Sequence, residues 1–239
     1  MSLVSTKWLF NNKENVKIVD CSWHLPNEKR NSLEEYNSEH IPNAIYFDID
    51  KNSDKNSDLP HMLPGKKEWE EIVSSLGISN DDKIIIYDNS DLISSCRLWY
   101  SFLYFGHNEE LVYILNGGLQ KWNKEKLVTT NKKTDLVKTK YRATENNEMV
   151  KNLDEINVNI EEKKFKLVDA RSKDRFQGRI AEPREGLRSG SIKNSICLPF
   201  KEVINKDKTF KSLEQLKVIF DGIIKGSDKD NIVFSCVSG

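Results

Sequence analysis

The sequence predicts an α/β protein made of two tandem copies of one unit, each a parallel sheet flanked by helices, with the second copy incomplete. Three observations predict it. Short apolar runs alternate with longer amphipathic stretches, the pattern of strand–helix–strand units. The runs, such as Lys83-Ile84-Ile85-Ile86-Tyr87, are apolar without alternation, as strands covered on both faces are. Three segments of the first half also recur in order, each about 150 residues on. Lys17-Ile18-Val19-Asp20 recurs as Lys166-Leu167-Val168-Asp169, and His40-Ile41-Pro42-Asn43-Ala44-Ile45 loosely as Ser191-Ile192-Lys193-Asn194-Ser195-Ile196. Lys83-Ile84-Ile85-Ile86-Tyr87-Asp88 recurs as Asn231-Ile232-Val233-Phe234-Ser235-Cys236.

In chain order, strands are expected at 16–19, 83–87, 111–115, 165–168 and 231–234. Helices are expected at 67–76, 95–105 and 213–225 from their apolar spacing. Gly117-Gly118 after the third strand reads as a tight turn into a helix, because glycine adopts φ > 0 without steric cost. Residues 124–147 are polar with little periodicity and read as a linker. The expected organisation is a first domain at 1–123, a linker at 124–150 and a second domain at 151–239. In the first copy a strand and two helices follow Asp88, whereas three residues follow Cys236. The second domain is therefore expected to be truncated at its C-terminal end.

Composition narrows the function classes. Of 239 residues, 37 are Lys or Arg and 37 are Asp or Glu, so the net charge is zero. That balance argues against a general nucleic-acid or membrane-surface binder. Five Trp and ten Phe argue against disorder. No apolar run reaches the ~18 residues of a membrane span. The opening residues lack the basic and apolar regions of an export signal, so a cytoplasmic protein with reduced thiols is expected. Cys21, Cys96, Cys197 and Cys236 form no C-x-x-C pair, and neither a zinc site nor a disulfide framework is expected. No metal or organic cofactor is implied.

Cys236 stands at the carboxyl end of an expected parallel strand, where ligands of such sheets bind. A loop there can turn backbone N–H groups inward as an anion nest, which favours a thiolate. The thiolate is the nucleophile. The competing reading is a buried structural cysteine. Cys21, Cys96 and Cys197 read as packing residues, Cys197 as buried.

Several segments resemble one family. In the second half these are Val168-Asp169-Ala170-Arg171-Ser172, Asp174-Arg175-Phe176, Glu182-Pro183-Arg184 and Gly186-Leu187-Arg188-Ser189-Gly190. In the first half they are Asp20-Cys21-Ser22-Trp23-His24-Leu25, His40-Ile41-Pro42-Asn43-Ala44, Phe47-Asp48-Ile49-Asp50, His61-Met62-Leu63-Pro64 and Asn116-Gly117-Gly118-Leu119. Together they resemble the two-domain rhodanese-type sulfurtransferases over nearly the whole chain, nearest the 3-mercaptopyruvate branch.

The resemblance implies two tandem rhodanese-like domains, of which the second carries the catalytic cysteine, Cys236. Asp88 stands at the matching place in the first domain, which is expected to be inactive. The implied reaction moves a sulfane sulfur from 3-mercaptopyruvate or thiosulfate through a Cys236 persulfide to an acceptor. That acceptor is cyanide or a thiol such as thioredoxin or a small thiol. Arg175 and Arg184 match the family arginines that hold the donor's carboxylate, a task suited to the guanidinium fork. Arg171, Arg179 and Arg188 are weaker candidates for donor binding and read as structural or electrostatic groups. Ser238, His61 and Asp50 match a relay that delivers a proton to the leaving enolate, and this places the site between the domains.

Val237 and Gly239 complete the loop that would hold the persulfide. Thiosulfate-specific relatives place basic residues after the cysteine. Val237 and Ser238 lack that charge, which favours mercaptopyruvate. Val237 also departs from the glycine usual in that branch, and a β-branched residue resists φ > 0. Because the loop stops at Gly239, this chain is expected to be inactive or a poor catalyst and its full-length parent active. Two other readings compete. One is a phosphatase-type cysteine enzyme on the same fold, and the other is a non-catalytic binding or sulfur-carrier module.

Overall fold

A computed structural model describes residues 2–91, 93–182, 187–224 and 231–236. The chain forms two compact units. The first is Met1–Met149 with Asp207–Thr209, and the second is Val150–Lys206 with Phe210–Gly239.

The first unit runs β1 (Leu3–Val4), α1 (Thr6–Asn12), β2 (Lys17–Asp20), α2 (Ser32–Ser38), β3 (Ala44–Tyr46), α3 (Lys66–Ser75), β4 (Ile84–Tyr87), α4 (Ser95–Tyr104), β5 (Val112–Leu115) and α5 (Gly118–Lys124). Its five strands are parallel in the order β1-β5-β4-β2-β3. Side chains alternate across a strand, and β4 shows why its sequence is an unbroken apolar run. Ile84 and Ile86 enter one core with Trp69 of α3 and Phe102 of α4. Ile85 and Tyr87 enter another with Leu9 of α1, Tyr36 of α2 and Trp122 of α5. Both faces of the sheet are covered, so both sets of side chains are apolar.

Local chemistry sets the helix starts. Ser5 accepts from the backbone N–H of Trp8 at 3.1 Å and caps α1. Asn31 accepts from Leu33 and Glu34 and caps α2. Gly117 (φ 93°) and Gly118 (φ 55°) lead from β5 into α5, and a Cβ on Gly118 would stand 2.4 Å from the Asp88 carbonyl oxygen. Only glycine fits that approach.

The second unit runs α6 (Leu153–Glu162), β6 (Lys166–Asp169), α7 (Lys173–Phe176), β7 (Ile196–Cys197), α8 (Leu213–Ile224) and β8 (Ile232–Ser235). A capping box starts α6: Asn152 accepts from the Glu155 N–H, and Glu155 accepts from the Asn152 N–H, each at 2.9 Å. The three strands are parallel in the order β7-β6-β8. This order matches β3-β2-β4 of the first unit, and the registers match too. Asp20 pairs with Tyr46 and Tyr87, and Asp169 pairs with Cys197 and Ser235. Asn43 and Asn194, one residue before β3 and two before β7, both have φ 67°. Leu167, Val168 and Leu198 are buried, whereas Phe234 of β8 is 57% exposed.

Every expected strand and helix has a counterpart within one or two residues, and position 225 lies outside the described residues. Two readings differ from the structure. The stretch at 124–147, read as a linker, lies along the first unit. Thr139 and Tyr141 donate backbone N–H bonds to Ser74, and Ala143 donates to Glu70. Tyr141 and Ala143 are buried in the first core. Its partners are helix-end carbonyls and side chains of α3 and α4, so it needs no periodicity of its own. Cys197, read as buried, is half-buried.

Candidate active site

In the second unit, β6 delivers Asp169, 3% exposed, to the carboxyl edge of the sheet. Arg171, two residues on, wraps back onto it. Its backbone N–H reaches Asp169 Oδ1 at 2.9 Å, Nε lies 3.0 Å from both carboxylate oxygens, and Nη2 lies 2.6 Å from Oδ2. Arg171 Nη2 also donates to the Gly190 carbonyl, and Nη1 to Glu182 Oε1, each at 2.7 Å. Arg171 is thus buried and fully engaged, an anchor rather than a free binding group.

Arg175 rides on the single turn of α7, whose start is capped by Ser172. Its Nε donates to Glu182 Oε2 at 3.0 Å, and Nη2 donates to the same oxygen. The Glu182 side chain is 1% exposed. Burial alone would lift its carboxyl, but the bonds and charges of Arg175 and Arg171 more than offset this and hold it below the ordinary carboxylate range. Four groups therefore alternate in charge: Asp169, Arg171, Glu182 and Arg175.

Cys236 directly follows β8 and is exposed. The other three thiols are pushed up, each mainly by burial. In Cys21 and Cys96 the charge of Asp88 adds to this, and Cys96 reaches about 12. In Cys197 the charge of Asp169 adds to it. A thiol held protonated is a poor nucleophile. Arg184, Val237, Ser238 and Gly239 lie outside the described residues.

In the first unit, His61 Nε2 lies 2.7 Å from Asp50 Oδ1, and Trp23 Nε1 donates to Asp50 Oδ2 at 2.9 Å. The Trp23 ring stands edge-on to the imidazole, 4.8 Å between centroids at 85°. The His61 bond, followed by that of Trp23, outweighs burial and holds the Asp50 carboxyl below its ordinary value. An ionised Asp50 fixes the proton on Nε2 and leaves Nδ1 as the acceptor. His61 is buried with φ 58°, a conformation uncommon for a residue with a Cβ, and its carbonyl accepts from Arg97 Nη2.

Asp88 follows β4 as Cys236 follows β8. Its Oδ1 accepts from the Ser90 N–H (2.9 Å) and hydroxyl (2.8 Å), and Oδ2 accepts from the Ser95 N–H at the start of α4 (2.9 Å). Sequence reasoning did not single out Glu182 or Trp23, and it read Arg171 as structural or electrostatic without its partners. The signal for the last was Asp-x-Arg at a strand end.

Comparison with known proteins places these features. The model of the Rhodanese-like domain matches residues 5–125. The chain is 36% identical over 260 residues to thiosulfate/3-mercaptopyruvate sulfurtransferase 1, mitochondrial, of Arabidopsis thaliana, covering 99% of this chain and 68% of that protein. It is 35% identical over 227 residues to 3-mercaptopyruvate sulfurtransferase of Mus musculus, covering 92% and 76%. The solved structure of SseA from Escherichia coli, a 3-mercaptopyruvate sulfotransferase with the rhodanese fold, superposes with a TM-score of 0.85 at 30% identity. That match covers 100% of this chain and 89% of SseA. The chain belongs to the rhodanese-like family.

Proposed function

We propose that this protein is a sulfurtransferase that takes sulfur from 3-mercaptopyruvate onto Cys236 and passes it to a thiol. The observation that carries the proposal is the match to named sulfurtransferases over 92–99% of the chain. The exposed cysteine at the carboxyl end of a parallel strand supports it. The Cys236 thiolate attacks the donor sulfur. An S–S bond forms, the C–S bond breaks, and its electron pair leaves on the enolate of pyruvate, which takes a proton. An acceptor thiolate then attacks the outer sulfur and releases Cys236, a double displacement.

Arg175 binds the donor's carboxylate together with Arg184. His61, held by Asp50, carries the proton with Ser238, and its Nδ1, with no partner among the described residues, supports that role. Val237 and Gly239 line the loop around the persulfide. Asp88, already hydrogen-bonded through both oxygens, leaves the first unit without a nucleophile at its strand end, in keeping with two tandem copies of which one reacts. Among the described residues no helix is long and apolar enough to cross a membrane.

Intact-mass measurement after incubation with 3-mercaptopyruvate tests the proposal. A single sulfur transfer needs no turnover, so even a poor catalyst should gain the mass of one sulfur atom, and Cys236→Ser should gain none. Equal gain in both proteins, or none in either, refutes it. Thiosulfate in a parallel incubation distinguishes the donors.

A further inference from the structure

We propose that Glu182 is the positioning residue that presents Arg175 to the donor, by gripping one edge of its guanidinium and leaving the opposite edge open. The inference rests on the reading of Arg175 as a donor-binding group.

A guanidinium has five N–H groups on three edges. Glu182 Oε2 takes the Nε–H and one Nη2–H of Arg175, which consumes the edge facing the main chain. The remaining Nη2–H and both Nη1–H groups have no acceptor among the described residues. The remaining Nη2–H and one Nη1–H form the end edge, which meets a carboxylate fork to fork. Arg175 is about one-fifth exposed, so its side chain is not sealed from a ligand.

Glu182 is itself immobilised. Its second oxygen is held by Arg171, and Arg171 is locked on Asp169 and the Gly190 carbonyl. The series of charges starts on a strand end in the sheet and finishes on Arg175. It sums to zero and alternates in sign, so an incoming anion continues it. A lone arginine on a one-turn helix would sample many rotamers and lose that freedom on binding. A buried carboxylate that takes two of its protons removes that freedom in advance.

A positioning role and a charge role predict opposite signs. Glu182 is negative and close to the anion site. If charge alone mattered, neutralising it would tighten anion binding. If positioning dominates, neutralising it weakens binding.

Calorimetric titration with pyruvate, the carboxylate product, separates these cases. Methyl pyruvate, which lacks the charge, serves as control. Arg175→Ala should weaken pyruvate binding at least tenfold. Glu182→Gln should weaken it about tenfold despite losing a negative charge, and the double variant should bind no more weakly than Arg175→Ala alone. Such non-additivity marks a residue acting through another. Glu182→Asp, which keeps the charge but shortens the reach, should fall between wild type and Glu182→Gln, and it carries the test if Glu182→Gln does not fold. Methyl pyruvate binding should be the same throughout. Unchanged or tighter pyruvate binding in the Glu182 variants, or losses that add to that of Arg175→Ala, overturns the positioning role while leaving Arg175 as a donor group. Unchanged binding in Arg175→Ala overturns the reading on which the inference stands.

Discussion

Replacing Asp20 by asparagine removes a buried charge that pairs with no cation among the described residues. Asp20 ends β2 at 2% exposure. Its Oδ1 accepts from the Ser22 N–H at 2.9 Å and the Ser22 hydroxyl at 2.6 Å. Burial is the largest influence and lifts the carboxyl to about 6. The bonds from Ser22 and Tyr87 pull it down, and the nearby Asp88 pushes it up again. A carboxyl with a raised pKa binds its proton more tightly folded than unfolded. Its ionisation therefore costs stability as pH climbs from 3.8 to about 6, and the full cost stands above that range. At about 1.4 kcal/mol per pH unit, the gap between 3.8 and about 6 comes to about 3 kcal/mol at neutral pH. Asparagine keeps the shape and the Oδ1 acceptor without the charge. Asp20→Asn should gain up to about 3 kcal/mol over wild type near pH 7.5, and the gain should shrink toward zero near pH 4. All five tryptophans lie in the first unit, so urea unfolding followed by their fluorescence reports on that unit. A gain independent of pH, or a loss near pH 7.5, would refute the reasoning.

Two further substitutions probe the scaffold. Arg171→Ala leaves Asp169 and Glu182 buried without their shared cation, and losing one partner of a buried ion pair costs about 3–5 kcal/mol. Hydrogen exchange of the amides in β6 and α7, read by mass spectrometry, should speed up markedly, and an unchanged rate would count against the network. Gly118→Ala drives a Cβ to 2.4 Å from the Asp88 carbonyl at φ 55°. Strain of this kind costs about 1–3 kcal/mol, so its thermal midpoint should drop, whereas Gly65→Ala, at the start of α3 with no atom within 4 Å, loses only a capping preference and should drop less.

How much of this was legible in the sequence depended on whether a contact is local. The buried strands announced themselves because a parallel strand covered on both faces is apolar at every position, as Ile84–Tyr87 is. Strands β3 and β7, three and two residues long, are too short to carry a pattern. The stretch at 125–149 reads as polar because only Tyr141 and Ala143 of its central part enter the core, and its long-range backbone bonds reach residues about 40 to 90 positions away. At the site, Cys236 was legible from its place after a strand. The His61–Asp50 pair was not, since it spans a loop without a repeating pattern, and it came from the family resemblance alone. Glu182 stood in plain view beside Pro183 and Arg184, but a glutamate between arginines is usually a solvated charge. Only its burial marks it.

The two strand ends show how one scaffold can be closed in one copy and open in the other. In both, the central strand finishes on a buried aspartate. In the first unit the residue two places on is Ser22, which offers hydrogen bonds but no charge, and the next strand supplies a second carboxylate, Asp88. Asp88 draws the local donors of Ser90 and Ser95 onto itself. N–H groups that could meet an anion there are already satisfied by the chain, and two buried negative charges repel any other. In the second unit Arg171 replaces that serine and neutralises Asp169, and the next strand delivers an exposed thiol. Glu182, held by Arg171 through one oxygen, grips Arg175 through the other, so the series ends on a cation. A change of serine to arginine at one strand end thus removes the uncompensated negative charge that an approaching anion would meet there.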